Sequence, residues 1–199
     1  MNTQNSFLFG ALILSALAMT GCKESTSPPS TGAAPASAPV DAAGPALAID
    51  APIAAENVDL SYTVVSGPLY DKANDAVSYS VEVQNNGKDT LSSAGTHPVN
   101  IGLAILGKDG TMNTPPASLE FQRYPLPTPL ATGDKLLLPL SFPVTPTLGG
   151  TAQVDGVQEG VAWFSSYGQP TLRLDTFTRC GDKQESVCGS NGEVVPTAP

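Results

Sequence analysis

The sequence is short of charge, of histidine and of cysteine, and each shortage removes a class of activity. Charged residues make up only 14% of the 199 positions, against about 25% in an average soluble domain. The 9 basic residues are outnumbered by 18 acidic ones, the net charge is −9, and no basic run occurs. Nucleic-acid binding needs clustered Lys and Arg to meet phosphates, so no nucleic-acid partner is expected. A single histidine excludes any mechanism built on two imidazoles, and three cysteines cannot form a four-thiolate zinc site. No Gly-x-Ser-x-Gly elbow, His-Glu-x-x-His pair or phosphate-cradling glycine loop occurs. The expectation is a chain with no catalytic residue, no cofactor and no metal. What it has in excess is glycine and proline, 19 of each, the composition of many turns, a linker, or both.

Residues 1–21 carry no Lys, Arg, Asp or Glu, and the stretch from Phe7 to Ala18 is apolar but for Ser15. That run is too short for a bilayer core of ~30 Å and has the length of a signal-peptide apolar region. It ends in Met19-Thr20-Gly21-Cys22, small residues before a cysteine, which resembles the lipobox of bacterial lipoprotein precursors. The resemblance implies cleavage before Cys22 and acylation of that cysteine. Three acyl chains at ~0.8 kcal/mol per buried CH₂ would make a firm anchor where one chain is marginal. Lys23, where the familiar sorting scheme uses aspartate for inner-membrane retention, implies the outer membrane of the cell envelope, facing periplasm or surface.

Residues 22–55 follow as a tether. Alanine fills 11 and proline 6 of the 33 positions from 23 to 55, with no aromatic residue. Such a tract cannot bury enough apolar surface to offset the entropy of ordering it, and its prolines interrupt every helical stretch. As a coil it would span about 30 Å.

From residue 56 the texture changes to period 2. Val58, Leu60, Tyr62 and Val64 alternate with polar residues, as do Val77, Tyr79, Val81 and Val83. The same period returns in Val99, Ile101, Leu103 and Ile105, and in Leu136, Leu138, Leu140 and Phe142. Alternation of this kind marks half-buried strands. Residues 151–154, 157–165 and 171–178 also read as extended, and a short strand is expected at Leu119–Arg123. Asn85-Asn86-Gly87 and Lys108-Asp109-Gly110 have hairpin-turn chemistry. Pro139 inside a strand demands an edge position or a bulge. About seven strands at this spacing predict an all-β fold, an immunoglobulin-like β-sandwich over 56–180, with a barrel as the other architecture.

The runs Val157-Gln158-Glu159-Gly160-Val161-Ala162-Trp163-Phe164-Ser165, Tyr167-Gly168-Gln169-Pro170-Thr171-Leu172 and Val81-Glu82-Val83-Gln84-Asn85-Asn86-Gly87, with Leu126-Pro127 before Gly133, resemble bacterial Ig-like accessory domains of cell-envelope proteins. The resemblance implies a non-catalytic domain that binds or spaces. Strand alternation puts Trp163 on the face of Val161 and Val157, as a core anchor between sheets. Phe164 then points outward beside Tyr167, and these two are the candidate ligand contacts.

Cys180 and Cys188, in an exported chain, meet an oxidising compartment and are expected to form a disulfide. Residues 181–199 are then a disulfide-closed loop and a frayed tail. Asp71, Asn74 and Asp75 offer oxygens to calcium but are explained by turn formation, and His97, in a loop, reads as a surface residue. The functional expectation is a lipid-anchored envelope protein that binds or scaffolds an envelope protein or polysaccharide. An envelope hydrolase with an unfamiliar carboxylate site is the alternative.

Overall fold

A computed structural model describes residues 47–107, 109–111 and 122–199. The expected signal peptide, Cys22 and most of the expected tether lie outside the described residues. What is described is an all-β sandwich. One sheet carries β1 (Leu60–Asp71), β2 (Ala76–Asn85) and β5 (Lys135–Pro143) in the order β1-β2-β5. The other has the order β4-β3-β6, built from β4 (Gln122–Pro125), β3 (Val99–Leu106) and β6 (Thr151–Gln158). Two short strands, β7 (Ala162–Trp163) and β8 (Leu172–Thr176), both pair with β6. All pairings within the two sheets are antiparallel. Consecutive strands β2 and β3, β4 and β5, and β5 and β6 lie in different sheets, the sheet-switching connectivity of an immunoglobulin-like sandwich.

The alternation read from sequence is what fills the interior. Val77, Tyr79, Val81 and Val83 of β2 and Leu138, Leu140 and Phe142 of β5 form one inner face. Val99, Ile101, Leu103 and Ile105 of β3 with Ala152 and Val154 of β6 form the other. All belong to one apolar cluster. Pro139 sits in unbroken register opposite Ser80, on a strand whose only sheet neighbour among the described residues is β2, so its missing N–H falls on a sheet edge.

Three expectations need correction. Asn85-Asn86-Gly87 closes no hairpin, because β2 and β3 belong to different sheets. The buried Asn85 amide instead donates to the carbonyls of Asp89 and Leu130, and its oxygen accepts from Gly87 N–H. It pins the crossover between sheets. Residues 47–55, expected in the tether, belong to the fold. Ile49 N–H donates to Ala94, its carbonyl accepts from His97, and buried Ile53 donates to the Gln158 side chain. Gln158, fully buried, also donates to Ala51 and His97. Buried hydrogen bonds to a core glutamine outweigh the entropy of an Ala/Pro segment there.

The third correction concerns the C-terminus, which is not frayed. β9 (Thr178–Cys180) and β10 (Ser186–Cys188) form a hairpin closed by the Cys180–Cys188 disulfide, as the sequence led us to expect. Val187 and Val195 are buried, and Tyr70 exchanges hydrogen bonds with Pro196 and Ala198. Arg179 of the hairpin grips Asp75 with two bonds of 2.6 Å, and Tyr70 and Thr145 hydroxyls donate to the same carboxylate. The chain thus enters the sandwich at the end holding Ala94, His97 and Gln158, and the disulfide hairpin closes the opposite end beside the β1–β2 turn.

Candidate functional site

The sequence pointed to the Trp163-Phe164 neighbourhood, and the structure reverses the roles of the two rings. Phe164 is 0% exposed, packed against Gly156 and Leu60 and stacked on Tyr167 at 6.3 Å. It is a core residue, and not a ligand contact. Tyr167 is half-buried, turned onto Phe164 and packed against the core cluster. Trp163, expected in the core, lies partly exposed on the outside of the larger sheet. The cause is a change of backbone. β7 is only two residues long and runs into a 3-10 turn over Phe164–Tyr167, ended by Gly168 at φ 81°. The extended run expected over 157–165 therefore stops, and Phe164 turns into the core at Gly156.

Outside, the indole crosses β6 and lies on β3 at Gly102. A Cβ added at Gly102 would sit 2.5 and 2.6 Å from two ring carbons, so only glycine leaves the indole room. Arg123, paired with Gly102 across the β3–β4 ladder, places its guanidinium carbon 4.7 Å from the ring centroid. Its Nε donates to Glu159 at 2.6 Å, and the Asn100 side-chain amide donates to the same carboxylate oxygen at 3.0 Å. The result is a pre-set corner of one indole, one guanidinium, one carboxylate and one amide. A shallow concavity of about 230 Å³ opens there between Arg123, Val157, Glu159, Val161 and Trp163. His97 does not line it; its Nδ1 lies 3.3 Å from the Glu159 carbonyl oxygen.

β6 also carries a buried carboxylate. Asp155, 1% exposed, accepts from Ser165 N–H at 3.2 Å through Oδ2, while Oδ1 has no partner among the described residues. Burial pushes its pKa above the usual carboxylate range, partly offset by the Ser165 hydrogen bonds. Burial and the Asp155 charge likewise push the Tyr62 hydroxyl upward. At the far end, Asp75 is committed to Arg179, whose hydrogen bond holds it below the usual range. Asp71 accepts from the amides of Ala73 and Asn74 and from the Asn74 side chain, the turn role expected of it. No group of three or more His, Cys, Asp or Glu side chains is arranged to hold a metal among the described residues.

Arg123, Glu159 and Asn100 were not found by sequence reasoning, because they come from three separate segments. Gly102 was the available signal: a glycine inside an otherwise Ile/Leu strand marks a close approach by another group. The chain matches no family model and none of the curated proteins.

Proposed function

We propose that this chain is a lipid-anchored protein of the bacterial cell envelope whose β-sandwich is a non-catalytic binding module, working through the Trp163–Arg123 corner. The observation that carries the reading is the indole held on Gly102 under the Arg123 guanidinium. A rigid aromatic with a fixed hydrogen-bonding fringe offers apolar contact and polar selectivity together, as envelope polysaccharides or protein partners require. Holding these groups in place before binding reduces the ordering cost of association. Anchoring rests on the lipobox-like Met19-Thr20-Gly21-Cys22.

Two measurements test the two halves. Cys22→Ser should move the protein out of the detergent phase in Triton X-114 partitioning; equal partitioning of mutant and wild type refutes the anchor. Affinity electrophoresis through gels holding soluble envelope polysaccharide, with co-purification from detergent-solubilised membranes, should show retention that Trp163→Ala abolishes. Retention unchanged by Trp163→Ala and by Arg123→Ala in folded protein refutes the corner.

A further inference from the structure

Beyond that corner, the opposite margin of the smaller sheet has the features of a second binding site. β1 is an outer strand, paired with β2 on one side. On its other side the partners among the described residues are Pro196 and Ala198, at Tyr70 alone. Thr63 through Gly67 are all exposed, with Val64 at 40% and Val65 at 57%. Three consecutive β-branched residues, Thr63, Val64 and Val65, suit strand pairing. A register shift between Ser66 and Leu69 and the lack of an N–H on Pro68 end the stretch open to pairing at Ser66, which leaves Ser61–Ser66, roughly 20 Å of edge with a further register shift at Val65.

The end of this edge opens into a small cavity of about 140 Å³. Pro68, Val194, Val195 and Pro196 give it apolar walls, and Asp175 and Glu193 give it two carboxylates. Glu193 accepts from the Asn191 amide and Asp175 lies 3.5 Å from the Ser190 hydroxyl. Neither is ion-paired with a Lys or Arg among the described residues. Apolar walls with an acidic fringe match a lysine or arginine, whose stem is apolar and whose head is charged. The other end of β1 is acidic too, with Glu56 and Asp59 exposed.

We propose that the Ser61–Ser66 edge and the Pro68–Glu193 cavity together receive an extended, basic peptide segment of a partner protein. The segment adds as a strand to β1 and seats a Lys or Arg side chain against Asp175 and Glu193. Charge selects this occupant over a second copy of the chain. Two β1 edges related by a two-fold axis run antiparallel, which brings Glu56 and Asp59 of one copy toward Asp175 and Glu193 of the other.

The test uses the full mature chain and a synthetic Thr/Val-alternating hexapeptide extended by Gly-Lys. Controls are the same peptide ending in Glu, and one with alternate backbone amides methylated. The Lys peptide should bind at least tenfold tighter than the Glu peptide and protect amides within 61–66 from hydrogen exchange. Asp175→Asn with Glu193→Gln should reduce that preference to less than threefold, with the melting temperature checked to show an intact fold. Trp163→Ala should leave this binding unchanged, so the corner and the edge fail or stand separately. No binding, equal binding of the methylated peptide, or protection elsewhere each overturns the proposal. A concentration-dependent dimer that protects the same amides without peptide overturns it in favour of self-association.

Discussion

Gly102→Ala is the sharpest perturbation available, because it acts on one contact and has its own reporter. The added methyl would meet two indole carbons at 2.5 and 2.6 Å and Arg123 Nη1 at 3.4 Å. Carbon atoms rest at about 3.5–4.0 Å, so the ring must retreat by about 1 Å. The sheet blocks every direction but outward. Retreat loosens the indole from β3 and from the guanidinium, an interaction of about 0.5–1 kcal/mol at an exposed site. With the strain of an overfilled contact the total should be about 1–3 kcal/mol. Trp163 is the only tryptophan of the chain, so intrinsic fluorescence reads this corner alone. The mutant should emit at longer wavelength, be quenched more readily by iodide, and unfold at lower urea. Emission and quenching equal to wild type, with a stability change under ~0.5 kcal/mol, would refute the placement of the indole on Gly102.

Phe164→Ala empties a ring with no exposure and should cost about 3–5 kcal/mol in urea denaturation; a loss below ~1 kcal/mol would put Phe164 outside the core. Mass spectrometry of non-reduced protein should show a Cys180–Cys188 crosslink, and reduction should remove roughly 2–3 kcal/mol while leaving the β-sheet circular dichroism in place. Asp75 is held below its unfolded pKa by Arg179, so it adds stability that is present above the ordinary carboxylate pKa and is lost as pH falls through the depressed value. Arg179→Gln should therefore flatten the acid limb of the urea midpoint against pH; an unchanged limb would show the pair to be without effect. Asp155 has the opposite sign: its raised pKa makes ionisation costly as pH climbs above the ordinary carboxylate value. Asp155→Asn should equal or exceed wild-type stability at pH 7 and lose that advantage at low pH, and a mutant weaker at pH 7 than at low pH, relative to wild type, would contradict the burial.

The sequence by itself determined the class of fold and most of its strands. Period-2 alternation marks an inner face whatever the partner strand, because successive side chains point to opposite sides of a pleated chain. That is why Val77–Val83, Val99–Ile105 and Leu136–Phe142 were legible, and why Pro139 could be assigned to an edge or a bulge. The Cys180–Cys188 bond was legible because the sequence holds two cysteines besides Cys22, spaced closely enough to join.

Tertiary structure alone decided the rest. Alternation fails where the backbone leaves the strand, so the order Trp163-Phe164 could not say which ring faces inward; the 3-10 turn at Phe164 decides it. Composition marked residues 47–55 and 189–199 as loose. Their order comes from partners outside the segments, Gln158 for one and Tyr70 for the other, which local sequence does not contain. The Trp163 corner draws on β3, β4, the β6–β7 turn and β7, and the basic-peptide edge draws on β1, β8 and the C-terminal segment. Each site exists only because the sandwich brings distant segments side by side, and that meeting is set by sheet order and register.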